Sequence, residues 1–178
     1  MRAAVMNEHL KRVREFHASR ALPQAEQGAD KRLSDMDIIM RQALLMDAGS
    51  ETLTALKSGD MVAILAGLAD LAYYALGAIA MQGQDVIEQP VLWRHDGFVL
   101  SVMKLLSDKI NQCAAGKVEH YSEVYCLCAH LAKSFINADF DKALLMVHNN
   151  NMSRLDENRK SRPEKLPKAP DLSECLYE

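Results

Sequence analysis

The sequence predicts an all-α protein, folded as a helical bundle. Alanine, leucine and methionine are plentiful while aromatic residues make up only 6% of the chain, a composition that favours helix over strand. Apolar residues recur at three- and four-residue spacing, and no segment shows a convincing strand pattern. With 178 residues, the chain is long enough for one domain with a substantial core.

Six helical segments account for this pattern. Ser34 is a plausible N-cap, and Asp60 is suited to begin the next helix. Gly59 fits a left-handed helix end, and Gly83 ends the most apolar segment. The predicted helices span about 4–19, 34–57, 60–82, 98–113, 120–137 and 139–149.

The second and third helices form the centre of the predicted architecture. The short sequence "KSGD" between them predicts an antiparallel hairpin, about 34–57 and 60–82. A connector and an additional helix hairpin follow within 84–138. We therefore predict a single helical domain over 1–157 and an extended C-terminal tail over 158–178, where charge and proline replace periodicity.

Three acidic residues of the hairpin are candidates for chemistry. Asp47 and Glu51 are four residues apart, so both face the same side of one helix. Asp70 lies among apolar residues of the next helix, at a height within roughly one turn of Glu51. If the faces agree, three carboxylates converge and need protonation or a bridging cation, with Mg²⁺ or Mn²⁺ favoured by oxygen ligands. The alternative is that Asp47 and Glu51 lie on a solvent-exposed helix face and that Asp70 forms a cap or a hydrogen bond with nearby groups.

Three blocks of the sequence resemble a known superfamily. The segment "AGLADLAYYALGAIAMQG" (66–83), preceded by "LTALKSGD", is similar to the central hairpin of the all-α nucleoside triphosphate pyrophosphohydrolases. This superfamily includes MazG, the dimeric dUTPases and phosphoribosyl-ATP pyrophosphatase. The opening "VREFHASRALP" (13–23) is similar to the first helix of the MazG-like branch. The segments "VHNNNMSRLDENRK" and "EKLPKAPDL" are similar to its C-terminal signature.

The resemblance implies a metal-dependent hydrolase. Its members hold Mg²⁺ with an E-x-x-E and an E-x-x-D motif and cleave a nucleoside triphosphate into monophosphate and pyrophosphate. Glu51 and Asp70 match two of the four acids and are the implied catalytic residues. Ala48 and Gly67 stand at the other two positions, with Asp47 beside the first. The implied metal ligands are therefore Asp47, Glu51 and Asp70, binding Mg²⁺ or Mn²⁺.

The resemblance also implies substrate contacts near both ends of the chain. Phe16 and His17 are candidates to border a base pocket. Five residues match the C-terminal signature, namely Asn151, Ser153, Arg154, Lys165 and Lys168. Candidates to replace the missing acids lie in the additional hairpin: Asp108, Asn111, Glu119, His120 and Glu123.

These observations leave three functional hypotheses. The first is a MazG-like pyrophosphohydrolase that removes unwanted nucleotides. The second is a catalytically weakened nucleotide-binding or structural relative, motivated by Ala48 and Gly67. The third is a helical interaction protein unrelated to nucleotides. A structure with Asp47, Glu51 and Asp70 on different faces would favour it.

Partners and compartment follow from the same features. The nearly all-round apolarity of the third helix predicts burial against another copy, in a homodimer or larger assembly. The net charge of −3 argues against nucleic acid, and Asp70 within the apolar stretch 61–81 argues against a membrane span. The N-terminus lacks the apolar region of a secretory signal. The cysteines lack zinc-site spacing, so we expect them reduced in the cytoplasm.

Overall fold

The computed structural model describes residues 5–153 and 163–177, and this part of the chain is built from α-helices without a β-strand. The all-α prediction is confirmed. Short 3₁₀ turns follow α4 and lie near the C-terminus, at Cys113–Ala115 and Ser173–Cys175. The helices are α1 (Glu8–Ser19), α2 (Asp35–Ser58), α3 (Met61–Gln82), α4 (Val99–Gln112), α5 (Val118–Ser134) and α6 (Phe140–Ser153).

The central hairpin has the ends that the sequence predicts. Ser34 and Asp37 form a capping box, each side chain accepting a hydrogen bond from the backbone N–H of the other. Gly59 ends α2 with φ of 70°, a left-handed conformation that glycine adopts without steric cost. Asp60 then accepts a hydrogen bond from the Ala63 N–H and begins α3. Local capping therefore fixes the turn that joins α2 to α3.

Helix α3 is the core of the molecule. It packs against α1, α2, α5 and α6, and 17 of its 22 residues are buried. By length and composition α3 could cross a membrane, but 78% of its apolar window is buried inside the protein, and a core helix passes the same test. The chain thus covers α3 by itself, so the apolarity of α3 gives no reason to expect a second subunit.

The additional hairpin completes a four-helix arrangement with the first. Helix α4 packs on α2, while α5 packs along α3 and returns beside α4. Helices α1 and α6 contact each other, and both pack against α3. One face of α3 is consequently left to α2 and to the C-terminal segment, and this is where the candidate site lies.

Helix α5 spans Val118–Ser134 where the sequence predicts about 120–137, and the start of α1 and the end of α6 differ by about four residues from the prediction. Helix α1 begins at Glu8 because the Asn7 side chain accepts hydrogen bonds from the backbone N–H groups of His9 and Leu10. Helix α6 continues past the predicted end at residue 149 to Ser153. Tertiary contacts hold this last turn, since Asn151 is buried and the Asn150 side chain makes a hydrogen bond described below.

The described part of the C-terminal segment, residues 163–177, packs along the bundle and contains the short 3₁₀ turn at Ser173–Cys175. Leu172 is 0% exposed and Cys175 is buried in the core. The Tyr177 N–H donates to the Asn137 carbonyl at 3.0 Å, and an antiparallel bridge joins Ala138 to Leu176. The segment therefore runs back over the helices and ends against the turn between α5 and α6.

Candidate active site

A cavity of about 520 Å³ lies between α2, α3 and the C-terminal segment. Asp47 and Glu51 reach it from α2, and Asp70 reaches it from α3. Lys165 and Lys168 line it from the C-terminal segment. The structure thus places the three candidate carboxylates on one cavity, which removes the reason to favour an unrelated interaction protein.

Asp70 is the most enclosed of these acids. Its Oδ1 atom is inaccessible to solvent and has no hydrogen-bond partner among the described residues. Burial, and after it the negative charge of Glu51, raises the pKa of Asp70 from 3.8 to about 8. In the absence of a cation, Asp70 is therefore mostly a neutral carboxylic acid at pH 7.

The cavity fits a cation site in which the protein supplies one or two carboxylate ligands. The described ranges contain no group of three or more His, Cys, Asp or Glu side chains that could hold a metal ion. Mg²⁺, however, commonly uses one or two carboxylates and completes its shell with waters and substrate phosphates. The unpartnered Asp70 oxygen, with the Glu51 charge beside it, supplies that kind of donor set.

Packing explains why no acid stands at position 67. A Cβ atom on Gly67 would overlap the Oγ1 atom of Thr52 and come within 3.0 Å of the Thr52 Cα. Thr52 is fully buried, and its hydroxyl donates to the Ala48 carbonyl at 2.8 Å. Helices α2 and α3 thus meet closely at the two positions where the superfamily motifs have their other acids.

The two lysines belong to a short stretch that we call the strap, residues 163–170. Three side chains of the bundle hold it by its backbone. The Tyr74 hydroxyl accepts from the Leu166 N–H at 2.8 Å. Arg20 Nη1 donates to the carbonyls of residues 163 and 165 at 2.8 and 3.2 Å. Asn150 Nδ2 donates to the Lys168 carbonyl at 2.9 Å.

Sequence reasoning missed these three anchoring side chains. Arg20 joins residues 143 and 145 positions away, and Tyr74 joins a residue 92 positions away. No local periodicity marks such pairs. The only available signal was the presence of Arg20 and Asn150 beside segments already singled out, at the end of α1 and in the asparagine triplet.

Phe16 and His17 lie in the core, away from the residues that line the cavity. The Phe16 ring packs edge-on against Tyr73 and carries the Arg20 guanidinium 4.6 Å from its centroid. His17 Nδ1 lies 3.0 Å from the Pro23 carbonyl oxygen. Burial, followed by the nearby Arg41 charge, lowers the pKa of His17 to about 3. Their role as a base pocket stays a prediction.

The C-terminal signature is only partly brought to the cavity. Asn151 is 1% exposed, lies beside the Tyr73 hydroxyl, and its Nδ2 has no partner among the described residues. Ser153 is exposed and donates to the Asn150 carbonyl in the last turn of α6. Arg154 lies outside the described residues. Among the signature residues that the structure describes, only Lys165 and Lys168 line the cavity.

The proposed replacement acids lie elsewhere. Asp108 and Asn111 line a groove between α2 and α4, on a different side of α2. Glu123 forms an ion pair with Lys109 at 2.9 Å, with His120 nearby, and Glu119 lines a separate cleft. These residues are absent from the cavity lining, so they do not fill the places of Ala48 and Gly67.

Comparison with known proteins finds a family similarity over α1 to α3. The sequence model of the PRA-PH family, described as phosphoribosyl-ATP pyrophosphohydrolase, matches residues 13–88. This family lies in the MazG-like superfamily, so the resemblance to the all-α nucleoside triphosphate pyrophosphohydrolases is confirmed over those residues. No curated protein and no solved structure matches the chain. The matched region contains α2 and α3 and hence all three carboxylates of the cavity.

Proposed function

We propose that the protein hydrolyses a nucleoside triphosphate to the monophosphate and pyrophosphate at the cavity between α2, α3 and the strap. The observation that carries this proposal is one cavity lined by carboxylates from the helix hairpin and by lysines from the strap. A triphosphate is a multiply charged anion, so it needs cationic side chains and neutralised carboxylates around it. The match of residues 13–88 to a pyrophosphohydrolase family supports the same class of reaction.

The residues that line the cavity, and those that hold the strap, have different roles in the proposed reaction. Lys165 and Lys168 are exposed at the cavity rim, where their ammonium groups can donate to phosphate oxygens. Glu51 is exposed and can accept a proton from an attacking water. Arg20 and Tyr74 act through the strap, because they fix the backbone that carries the lysines.

Asp70 and Glu51 would hold a Mg²⁺ or Mn²⁺ ion whose shell is completed by waters and substrate phosphates, and Asp47 lines the same cavity. Such an ion supplies charge neutralisation for the phosphates and lowers the pKa of a bound water. Asp70 must lose its proton to act as a ligand, and the raised pKa of Asp70 makes that step harder at low pH. We therefore expect activity to increase with pH from the acidic range towards pH 8.

The direct test measures pyrophosphate release from canonical and modified nucleoside triphosphates with Mg²⁺ or Mn²⁺. We expect activity on at least one member of the panel and a large loss with Glu51→Gln or Asp70→Asn. Lys168→Ala should raise KM more than it lowers kcat. Glu119→Gln, in a separate cleft, is the control and should keep wild-type activity. No release from any nucleotide would exclude the proposed reaction.

A second candidate function is a nucleotide-binding relative that has lost most of its activity. The contact of Gly67 with Thr52 favours it, because that packing leaves no room for an acid at position 67. Thermal unfolding with Mg²⁺ and nucleotide separates the two functions. Stabilisation by the ligand without pyrophosphate release identifies a binder, since a ligand that binds only the folded state raises its stability.

A reducing compartment, the cytoplasm, is part of the same proposal. All four cysteines are unpaired in the structure, and burial raises the pKa of Cys113, Cys126, Cys128 and Cys175. Thiols in this state are inert packing groups rather than reactive ones. This arrangement supports a reducing compartment, and the proposed role there is to clear unwanted nucleotides, for which the substrate panel tests which base is accepted.

A further inference from the structure

The cavity between α2, α3 and the strap has an apolar part that the proposed reaction leaves unused. Six apolar residues of α3 and the strap line it, and their side chains carry no hydrogen-bonding group. They are Val62, Ala63, Ala66, Pro167, Ala169 and Pro170. We call this part of the cavity the slot. Because its side chains can neither bind a metal ion nor donate to a phosphate, the slot needs an occupant of another chemical kind.

The slot lies on one side of the acids along α3. Ala66 and Ala63 precede Asp70 by four and seven residues, so they share its face of the helix at distances of ~6 and ~10 Å along the axis. In the other direction the cavity lining reaches only Tyr74, whose hydroxyl is bonded to the strap. A nucleotide with its phosphates at Asp70 therefore has room for its nucleoside along the slot.

The shape of the slot suits a flat apolar group. Alanine leaves space beside the strap that a larger side chain would fill, and ligand sites commonly combine apolar walls with a few polar groups. Asp70 indicates that the same cavity receives a ligand, since its Oδ1 atom is inaccessible to solvent and unpartnered among the described residues. Phe16 and His17 are buried away from the cavity, so another surface must receive the base of a nucleotide bound there.

Asp60 supplies a polar group at the end of the slot. It lies ~15 Å from Asp70 along the axis of α3, and it also lines the cavity. Its Oδ1 accepts from the Ala63 N–H at 3.0 Å, which holds the side chain beside the slot. Its Oδ2 has no hydrogen-bond partner among the described residues. A carboxylate oxygen in this position can accept a hydrogen bond but cannot donate one.

We propose that the slot holds the nucleobase of the substrate and that Asp60 selects bases with an amino group at the position of cytosine N4 or adenine N6. The proposal rests on the proposed function, because it needs the phosphates to lie at the acids and the strap lysines. An amino group donates to Asp60, whereas the carbonyl of uracil or hypoxanthine at the same position brings two acceptors together. A site built to accept a hydrogen bond rejects a base that cannot donate one.

Calorimetry with Mg²⁺ tests this selection with the α,β-imido analogues of cytidine and uridine triphosphate, which cannot be cleaved between the α- and β-phosphates. The wild type should bind the cytidine analogue roughly tenfold more tightly, as expected for one hydrogen bond to a charged group. Asp60→Asn should abolish or reverse this preference. Asparagine is as effective an N-cap as aspartate, so Oδ1 can still accept from Ala63 while Nδ2 offers a donor to the base.

Asp139→Asn is the matched control for this substitution. Asp139 Oδ1 also accepts from the backbone N–H three residues later, that of Lys142 at 3.0 Å, but Asp139 does not line the cavity. This variant should keep the wild-type preference. Equal binding of the two analogues by the wild type, or a preference that survives Asp60→Asn, would overturn the proposal.

Inorganic triphosphate distinguishes the slot from the phosphate site. Ala63→Leu should weaken binding of both nucleotide analogues about tenfold by filling the slot, and should leave the Kd for inorganic triphosphate unchanged because it has no base. Ala129→Leu, at a half-buried alanine of α5, is the control and should change neither affinity. Circular dichroism verifies the fold of both variants. Equal weakening of nucleotide and inorganic triphosphate by Ala63→Leu would also overturn the slot.

The same measurements separate this proposal from the proposed function. Selective binding without pyrophosphate release would overturn the reaction and support the slot. Pyrophosphate release without any preference among bases would support the reaction and overturn the slot. If neither the nucleotide analogues nor inorganic triphosphate bind, both proposals are wrong.

Discussion

Asp70 shows how packing sets the chemistry of a single side chain. Its Oδ1 has no donor nearby among the described residues, and its closest charged influence is the negative Glu51. Both facts disfavour the carboxylate, so the folded protein holds a proton that the unfolded chain would release. The protein thus carries a destabilising acid that only a cation or a proton can compensate.

This acid has a measurable effect on stability. The unfolded carboxyl ionises near 3.8 and the folded one near 8, so the folded state binds more protons between these values. We expect the Asp70 contribution to the free energy of unfolding to fall as pH rises through that window. Urea unfolding of wild type and Asp70→Asn in EDTA measures it, and the stability of the variant relative to wild type should increase with pH.

Asp47→Asn is the control for this experiment, because Asp47 lines the same cavity but is exposed. It should follow the wild-type pH dependence. If Asp70→Asn also follows the wild-type dependence at every pH, then Asp70 is not held as a neutral acid in the folded protein.

Gly67 and Thr52 make a second prediction at the residue scale. Helix propensity alone favours alanine over glycine by about 1 kcal/mol, whereas overpacking a core costs about 1–3 kcal/mol. We expect Gly67→Ala to be destabilising on balance, because its Cβ meets Thr52. Adding Thr52→Ala should recover part of the loss, and a double-mutant cycle measures this coupling. Strictly additive free energies would contradict the contact.

Among the elements, the strap depends on side chains far from it in sequence. Arg20→Ala removes two hydrogen bonds from a charged donor to strap carbonyls, each worth about 1.5–3 kcal/mol. We expect faster hydrogen exchange in residues 163–170 and a raised KM for the nucleotide. Arg14→Ala is the matched control, since Arg14 also lies on α1 and donates to two carbonyls, those of Ala25 and Ala80. Equal effects of both variants on the strap would contradict this role.

Helix positions were largely predictable because their signals are local. Ser34, Gly59, Asp60 and Gly83 act through neighbouring backbone groups, and each lies where the sequence indicated. The end of α6 was not predictable in this way. Asparagine favours helix ends, but the burial of Asn151 and the bond from Asn150 to the strap outweigh that preference.

At the scale of the whole molecule, the C-terminal segment is part of the core. Leu172 is 0% exposed, so Leu172→Ala should cost about 2–5 kcal/mol, as expected for a buried leucine. Chemical denaturation followed by circular dichroism measures this loss. Tyr177→Ala, at a side chain that is 59% exposed, should change stability little. An unaffected Leu172→Ala protein would mean that the segment folds independently of the helices.

The candidate site was only half predictable for a related reason. The spacing of Asp47, Glu51 and Asp70 along one hairpin indicated a shared cavity, and the structure has it. The sequence could not show that Phe16 and His17 turn into the core, because burial depends on how α1 packs against α3. Nor could it show which signature residues reach the cavity, since that depends on the path of the strap.

The close approach of α2 and α3 at Gly67 also limits the evolutionary routes open to this cavity. A glutamate at position 67 would collide with Thr52, so a chain that acquired it first would carry a packing fault. A smaller residue at position 52 must come first, and the two helices must also separate slightly at its Cα before an acid at position 67 can be accepted. The order of two substitutions, rather than either one alone, decides whether a richer carboxylate set can arise from this sequence.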